Sequence, residues 1–289
     1  MPSVYEIVTE QVIRQLEQGV APWRKPWRTE LPVNLISGKS YRGLNVFLLG
    51  AQGYGSRYWL TFNQAKKLGG HIRKGQHSSL VTFWHIGEEK IIRQTDGTQR
   101  KSKPFLLRFY HVFNVEQTDG IADKLGLTGA SPRVPDLKQC EAIVSGMPNA
   151  PKIEQSSKAW YRPSTDTVGM PSKPLFASIQ EYYSTLFHEL THSTGHASRV
   201  GREGIENIAG FGSESYSREE LIAEMGAAML CGVTGISPAT MSNSASYLQS
   251  WITRLRGDSK LLVSAASAAQ KAADYIRNAN ANSGKSEEN

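Results

Sequence analysis

Leu186-Phe187-His188-Glu189-Leu190-Thr191-His192-Ser193-Thr194-Gly195-His196 decides how this 289-residue chain is read. It contains H-E-x-x-H. Side chains four apart on a helix share one face, one turn apart. His188 and His192 can therefore hold one metal ion together, with Glu189 beside the first as general base. The flanks suit such a helix. Ser178 with Glu181 three residues on forms a capping box, and Gly195 closes the far end, which predicts a helix from about Ile179 to Thr194. H-E-x-x-H also arises by chance in ordinary helices, so its weight depends on a third ligand.

A catalytic zinc usually takes three protein ligands and leaves one position open. One arrangement places glycine seven and histidine ten residues after the first histidine. Gly195 fits, but Ser198 stands at the tenth position and His196 falls two short. The other arrangement draws a glutamate from a later helix, here Glu214, Glu219, Glu220 or Glu224. With Ser217 as N-cap, Glu219 and Glu220 fall in a first turn, where the dipole alone accounts for carboxylates. Glu224 lies among Leu221, Ile222, Ala223, Met225, Ala227 and Ala228, where an unpaired carboxylate is costly to bury. Glu224 is thus the expected third ligand. Glu220 is the alternative, or a hydrogen-bond partner of a ligand histidine. His196 reads as a loop residue with at most a supporting role, and His71, His77, His85 and His111 as structural.

The chemistry that follows is metal-dependent hydrolysis. Zinc, or another divalent transition metal, brings the pKa of its water to about 7. Glu189 takes the proton and returns it to a leaving amine. Tyr161 and Tyr216 are the candidate oxyanion donors, and Asp166 to Met170 the candidate edge strand for a peptide substrate.

The remaining chain sets the context. No apolar run approaches the roughly 20 residues that span a bilayer, and the N-terminus lacks a signal-peptide pattern. The two cysteines, Cys140 and Cys231, give no disulfide framework; a cytoplasmic protein without a membrane partner is expected. The net charge of +7 is uneven: residues 1–130 carry 18 Lys and Arg against 10 Asp and Glu, and residues 131–289 carry 15 against 16. A basic half beside a near-neutral half suits phosphate binding in the first, or a merely solvated basic face.

Val4, Ile7, Val8, Val12 and Leu16 give an amphipathic helix over 3–19, capped by Ser3 and Glu6. Pro22-Trp23-Arg24-Lys25-Pro26-Trp27-Arg28 follows, with aromatics to stack bases and cations to follow phosphates, unless the tryptophans are core anchors. Ser37-Gly38-Lys39-Ser40 lacks the first glycine of a phosphate loop and reads as a turn before a short apolar element, Asn45 to Leu49. A strand end at Tyr58–Phe62 and a helix over Asn63–Leu68 capped by Thr61 come next. Residues 79–86 and 104–113 alternate as strands around a hairpin signal at Asp96-Gly97. Residues 129–136, with Gly129, Ser131, Pro132 and Pro135, read as a linker. Short strands around 159–161 and 166–168, then helices over 136–145, 217–230, 246–256 and 259–277, complete an α+β pattern of two domains.

Taken in order, Pro22 to Trp27, Gly38 to Asn45, Trp59-Leu60-Thr61-Phe62 with Gln64-Ala65, Lys74-Gly75, Asp166 to Pro171, Tyr182, His188 to His196, and Tyr216 with Glu219 to Glu224 resemble the ArdC-type antirestriction proteins of conjugative plasmids. The resemblance covers nearly all of the chain. It implies an N-terminal domain that binds single-stranded DNA and a C-terminal zincin-like metallopeptidase domain. On the residues these fall as a small basic α+β domain over 1–130, a linker and lead-in over 131–150, and a mostly helical domain with a small sheet over 151–278, with a polar, disordered tail expected over 279–289. It further implies protection of incoming DNA from restriction, with a protein substrate for the peptidase. Trp23, Arg24, Lys25, Trp27, Tyr41, Arg42 and Lys74 are the DNA-contact candidates. The rival expectations are a DNA-coating protein with a structural metal site and a peptidase for DNA-bound proteins.

Overall fold

The computed structural model describes residues 2–24, 30–86, 90–93, 99–102, 105–127, 134–202, 205, 214–236 and 244–279. The capping box at Ser3 and Glu6 starts helix α1, Val4–Glu17, which buries Val8, Val12, Ile13 and Leu16 along one stripe. A single 3-10 turn, Pro22–Arg24, follows. Next come β1 (Val33–Asn34), α2 (Leu44–Gly50), β2 (Tyr58–Leu60), α3 (Phe62–Lys67) and β3 (His71–Ile72). The apolar element at Asn45 to Leu49 is thus a helix. Thr61 and Gln64 form a reciprocal cap for α3.

Strands β4 (Ser79–Ile86), β5 (Lys90–Arg93), β6 (Gln99–Ser102), β7 (Phe105–Asn114) and β8 (Thr118–Asp119) complete the first half. The main sheet runs β1-β2-β7-β4, with β4 and β7 a long antiparallel ribbon pairing Ser79 with Val112 through Ile86 with Phe105. β5 and β6 pair antiparallel, and the Asp96-Gly97 signal between them lies outside the described residues, as do 129–133 of the expected linker and 280–289 of the expected tail.

The second half opens with α4 (Leu137–Ser145), capped by Asp136, and strands β9 (Lys152–Gln155), β10 (Trp160–Arg162) and β11 (Thr167–Met170). Four helices follow: α5 (Ile179–Ser193), α6 (Glu214–Thr234), α7 (Ala245–Gly257) and α8 (Leu261–Ile276). The small sheet is ordered β10-β11-β9. The expected edge strand at Asp166 to Met170 is therefore its centre: β11 is buried throughout and hydrogen-bonds on both sides. The expectation failed because β9, with an exposed, charged pattern, gave no strand signal. Gly169 admits the Trp160 indole; a Cβ there would lie 2.3 Å from the ring.

Helices α5 and α6 meet at a second glycine. A Cβ on Gly226 would lie 2.5 Å from Thr191 Cγ2, so the bare backbone sets how closely α6 approaches the H-E-x-x-H helix. The two halves also share a core. Val12, Leu16 and Trp23 belong to one buried cluster with Leu190, Met225, Trp251 and Ala266. Gly43 N donates to Gln270 Oε1 at 2.8 Å, tying the start of α2 to α8. Cys140 and Cys231 are free, buried thiols. No helix among the described residues is long and apolar enough to cross a membrane.

Candidate metal centre

His188 and His192 lie one turn apart on α5, with their Nε2 atoms 3.1 Å from each other. Glu220, on α6, faces both: its carboxylate is 3.7 Å from His188 Nε2 and 3.5 Å from His192 Nε2. One atom from each of the three lies within 4.8 Å of the others. Two imidazoles and one carboxylate converging in this way fit a divalent transition ion with room for further ligands. Glu189 is 8 % exposed, and burial pushes its carboxyl up to about 7, with Glu220 adding to the rise and His192 opposing it.

The carboxylate that faces the two histidines is Glu220, not Glu224, the expected third ligand. Helix α6 begins at Glu214, three residues before the expected cap at Ser217. Glu219 and Glu220 therefore sit in the second turn, where end effects no longer account for them. Glu224 is largely shielded, its side chain 13% exposed, but its partners are protein groups. Arg24 donates to it at 2.5 Å, Tyr247 donates its hydroxyl at 2.5 Å, and the Arg24 guanidinium stacks 3.6 Å from the Tyr247 ring. An arginine 200 residues upstream is invisible to local pattern reading.

Around the three converging groups is a layer of fixed charge. His192 Nδ1 lies 3.2 Å from Glu219 Oε1. Arg202 holds that carboxylate with Nε at 3.0 Å and a terminal nitrogen at 2.5 Å, and donates to Thr194 Oγ1 at 2.6 Å. A carboxylate on the far nitrogen of a ligand histidine fixes its ring and tautomer. Burial alone lowers both histidines. His188 is pushed well below its usual range, whereas at His192 burial is outweighed by the hydrogen bonds it donates to the Glu219 and Glu220 carboxylates, which raise its pKa. Glu220, which faces both Nε2 atoms, gives the space between them a negative wall that suits a cation. Sequence reading placed Glu219 only as a helix-end carboxylate and missed Arg202, which carries no spacing signal.

Tyr216 hydrogen-bonds to Glu220, and burial with that carboxylate raises its hydroxyl pKa. It borders the centre. Tyr161 instead donates to Asp166 at 3.0 Å and accepts from Arg199 at 3.3 Å, a cluster that ties β10 to the end of α5 through Arg199 Nε on Ser193 O at 2.7 Å. Its hydroxyl is occupied by structure. His196 hydrogen-bonds with Ser198 at 2.8 Å and is not part of the three-residue cluster.

The DNA-contact candidates divide. Trp23 is 1 % exposed, donates to the Tyr247 hydroxyl at 2.9 Å and packs edge-on against Trp251. Tyr41 is buried against Trp59, Val81 and Val112. Both are core anchors, not base platforms. Arg24 is committed to Glu224, and Arg42 pairs with Asp274 while keeping much of its side chain in solvent. Lys74 is exposed in the turn after β3. Lys25 and Trp27 lie outside the described residues. The ribbon of β4 and β7 instead exposes Phe83, Trp84, Phe109 and Tyr110, aromatics that alternation made look like ordinary strand residues.

Both halves of the chain match known families. Residues 138–268 match a zincin-like metallopeptidase model, and residues 2–113 match the N-terminal domain of anti-restriction factor ArdC. The chain is similar to the antirestriction ArdC protein from plasmid R388. Against its metal-free crystal structure the TM-score is 0.75 at 36% identity, covering 96% of this chain and 98% of that one. Against its Mn(II)-bound structure the TM-score is 0.73 at 36% identity, covering 97% and 99%. It is 33% identical to the uncharacterized protein y4eC of Sinorhizobium fredii, across 95% of this chain and 91% of that protein. It is also 34% identical to an Escherichia coli DNA primase TraC across 94% of this chain, but spans 27% of the primase's length.

Proposed function

Because the chain belongs to the ArdC family of antirestriction proteins, we propose that it protects incoming DNA by binding single strands and carrying a zinc-dependent peptidase centre. His188, His192 and Glu220 would hold the ion. The observation that carries the reading is the convergence of those three donors beside a buried Glu189. Bound there, a zinc ion supplies Lewis acidity to water and to a substrate carbonyl. Glu189 receives the proton of the attacking water on its carboxylate and returns it to the leaving amine nitrogen. Glu219 and Arg202 keep the His192 ring in place throughout. Tyr216, rather than Tyr161, is the hydroxyl positioned to donate to a developing oxyanion. The basic first half, through the exposed indole of Trp84 on its β4–β7 ribbon, supplies strand-binding surface.

The test is Glu189→Ala, which keeps all three ligands. Loss of both peptidase activity and antirestriction, with metal content unchanged, supports the proposal. Full antirestriction without peptidase activity means that protection comes from coating DNA. Peptidase activity that survives both the substitution and chelation removes the enzymatic assignment.

A further inference from the structure

Between the β4–β7 ribbon and the helices of the second half lies a cleft of about 690 Å³. Trp84 and Tyr5 form its aromatic side, with ring centroids 6.4 Å apart in an edge-on pair. Trp84 remains 51% exposed. Arg218 from α6, Lys260 from the turn before α8 and Lys271 on α8 line the rest. All three are exposed, and among the described residues none forms an ion pair. The carboxylate lining the cleft is Glu219, and Arg202 already neutralises it at 2.5 Å. A half-exposed indole in one cleft with three cations that form no ion pair, of which Lys260 lies 6.0 Å from the centre of the Tyr5 ring, matches a base and its phosphates.

We propose that this cleft holds a nucleotide of a single DNA strand, with its base on Trp84 and its backbone phosphates on Arg218, Lys260 and Lys271. The proposal rests on the single-strand reading above and says where the strand lies. The site joins both halves of the chain, since Tyr5 and Trp84 come from the first and the cations from the second. It also shares a wall with the metal centre: Glu219 lines the cleft and lies 3.2 Å from His192 Nδ1. A bound strand is thereby held next to the peptidase centre, not on a separate module.

The experiment is a fluorescence-anisotropy titration of labelled oligothymidylate with the full chain. It compares wild type, Trp84→Ala, Trp84→Phe, the double variant Lys260→Gln/Lys271→Gln, Phe83→Ala on the other face of the ribbon, and Lys124→Gln as a distant charge control. Loss of one stacked base weakens binding about 5- to 150-fold in Trp84→Ala, and Trp84→Phe recovers much of it. The double variant weakens binding and lowers the slope of log affinity against log salt by about 1.4. Phe83→Ala and Lys124→Gln stay near wild type. Wild-type affinity in both Trp84→Ala and the lysine double variant overturns the cleft while leaving single-strand binding intact. A larger loss from Phe83→Ala than from Trp84→Ala puts the strand on the other face and likewise overturns it. No binding by wild type removes the single-strand reading and the cleft together.

Discussion

Replacing Glu224 with alanine separates a structural carboxylate from a metal-binding one. In the folded chain Glu224 accepts from Arg24 and from Tyr247, each at 2.5 Å. The Arg24 and Glu224 side chains are 15% and 13% exposed. Trp23 extends the chain of contacts by donating to the Tyr247 hydroxyl at 2.9 Å. Glu224→Ala strands a guanidinium and a phenol in a mostly dry site. Removing one member of a buried pair costs about 3–5 kcal/mol, and the residual exposure puts this one near about 3 kcal/mol. Glu224→Gln keeps an acceptor for Tyr247 and should cost less. Glu220→Ala should do the reverse: metal is lost, while metal-free stability moves by about 1 kcal/mol or less. The assay is urea denaturation of the metal-free proteins beside zinc stoichiometry after reloading. Zinc lost from Glu224→Ala at unchanged stability, with zinc retained in Glu220→Ala, would refute the reasoning.

Glu219→Gln leaves all three ligands but weakens the acceptor for His192, so zinc affinity should fall about 10- to 100-fold by competition with a chelating dye. Gly226→Ala drives a methyl against Thr191 Cγ2 and should cost about 1–3 kcal/mol; a larger zinc deficit than a remote variant of equal stability would mark the α5–α6 spacing as its cause, and Thr191→Ser should recover part of both. Asp166 is held below the usual carboxylate range chiefly by hydrogen bonds from Arg199. A depressed folded pKa means that its stabilisation is full above about pH 4 and is lost as pH falls through the folded value. Asp166→Asn should therefore be less stable than wild type at neutral pH, with the difference closing as urea curves are taken to acid.

The metal helix was legible because its information is local: spacing puts His188 and His192 on one face, and Ser178 marks where the turn begins. Glu220, the carboxylate that faces the two histidines, was not, for two physical reasons. An N-cap signal at Ser217 is the same whether a helix starts there or passes through, and α6 passes through. Hydrophobic neighbours mark Glu224 as shielded from solvent, yet shielding does not name the partner, and Arg24 reaches it only through the tertiary fold. The same limit governs the aromatics. Trp23 in a Pro- and Arg-rich segment and Trp84 in an alternating strand cannot be sorted by composition. The first is sealed by Tyr247 and Trp251, while the second stands at the mouth of a cleft between the halves. The α+β pattern survived because caps and alternation are local, whereas β9 needed its partner β11 to become a strand.

The most direct test is a crystal of the full chain grown with zinc, with anomalous data collected on both sides of the zinc edge. The structure predicts one strong peak at about 2.0–2.2 Å from His188 Nε2, His192 Nε2 and a Glu220 carboxylate oxygen, with Glu189 beside it and Glu224 still held by Arg24. A peak bound by Glu224, or none between the two histidines, would contradict the account.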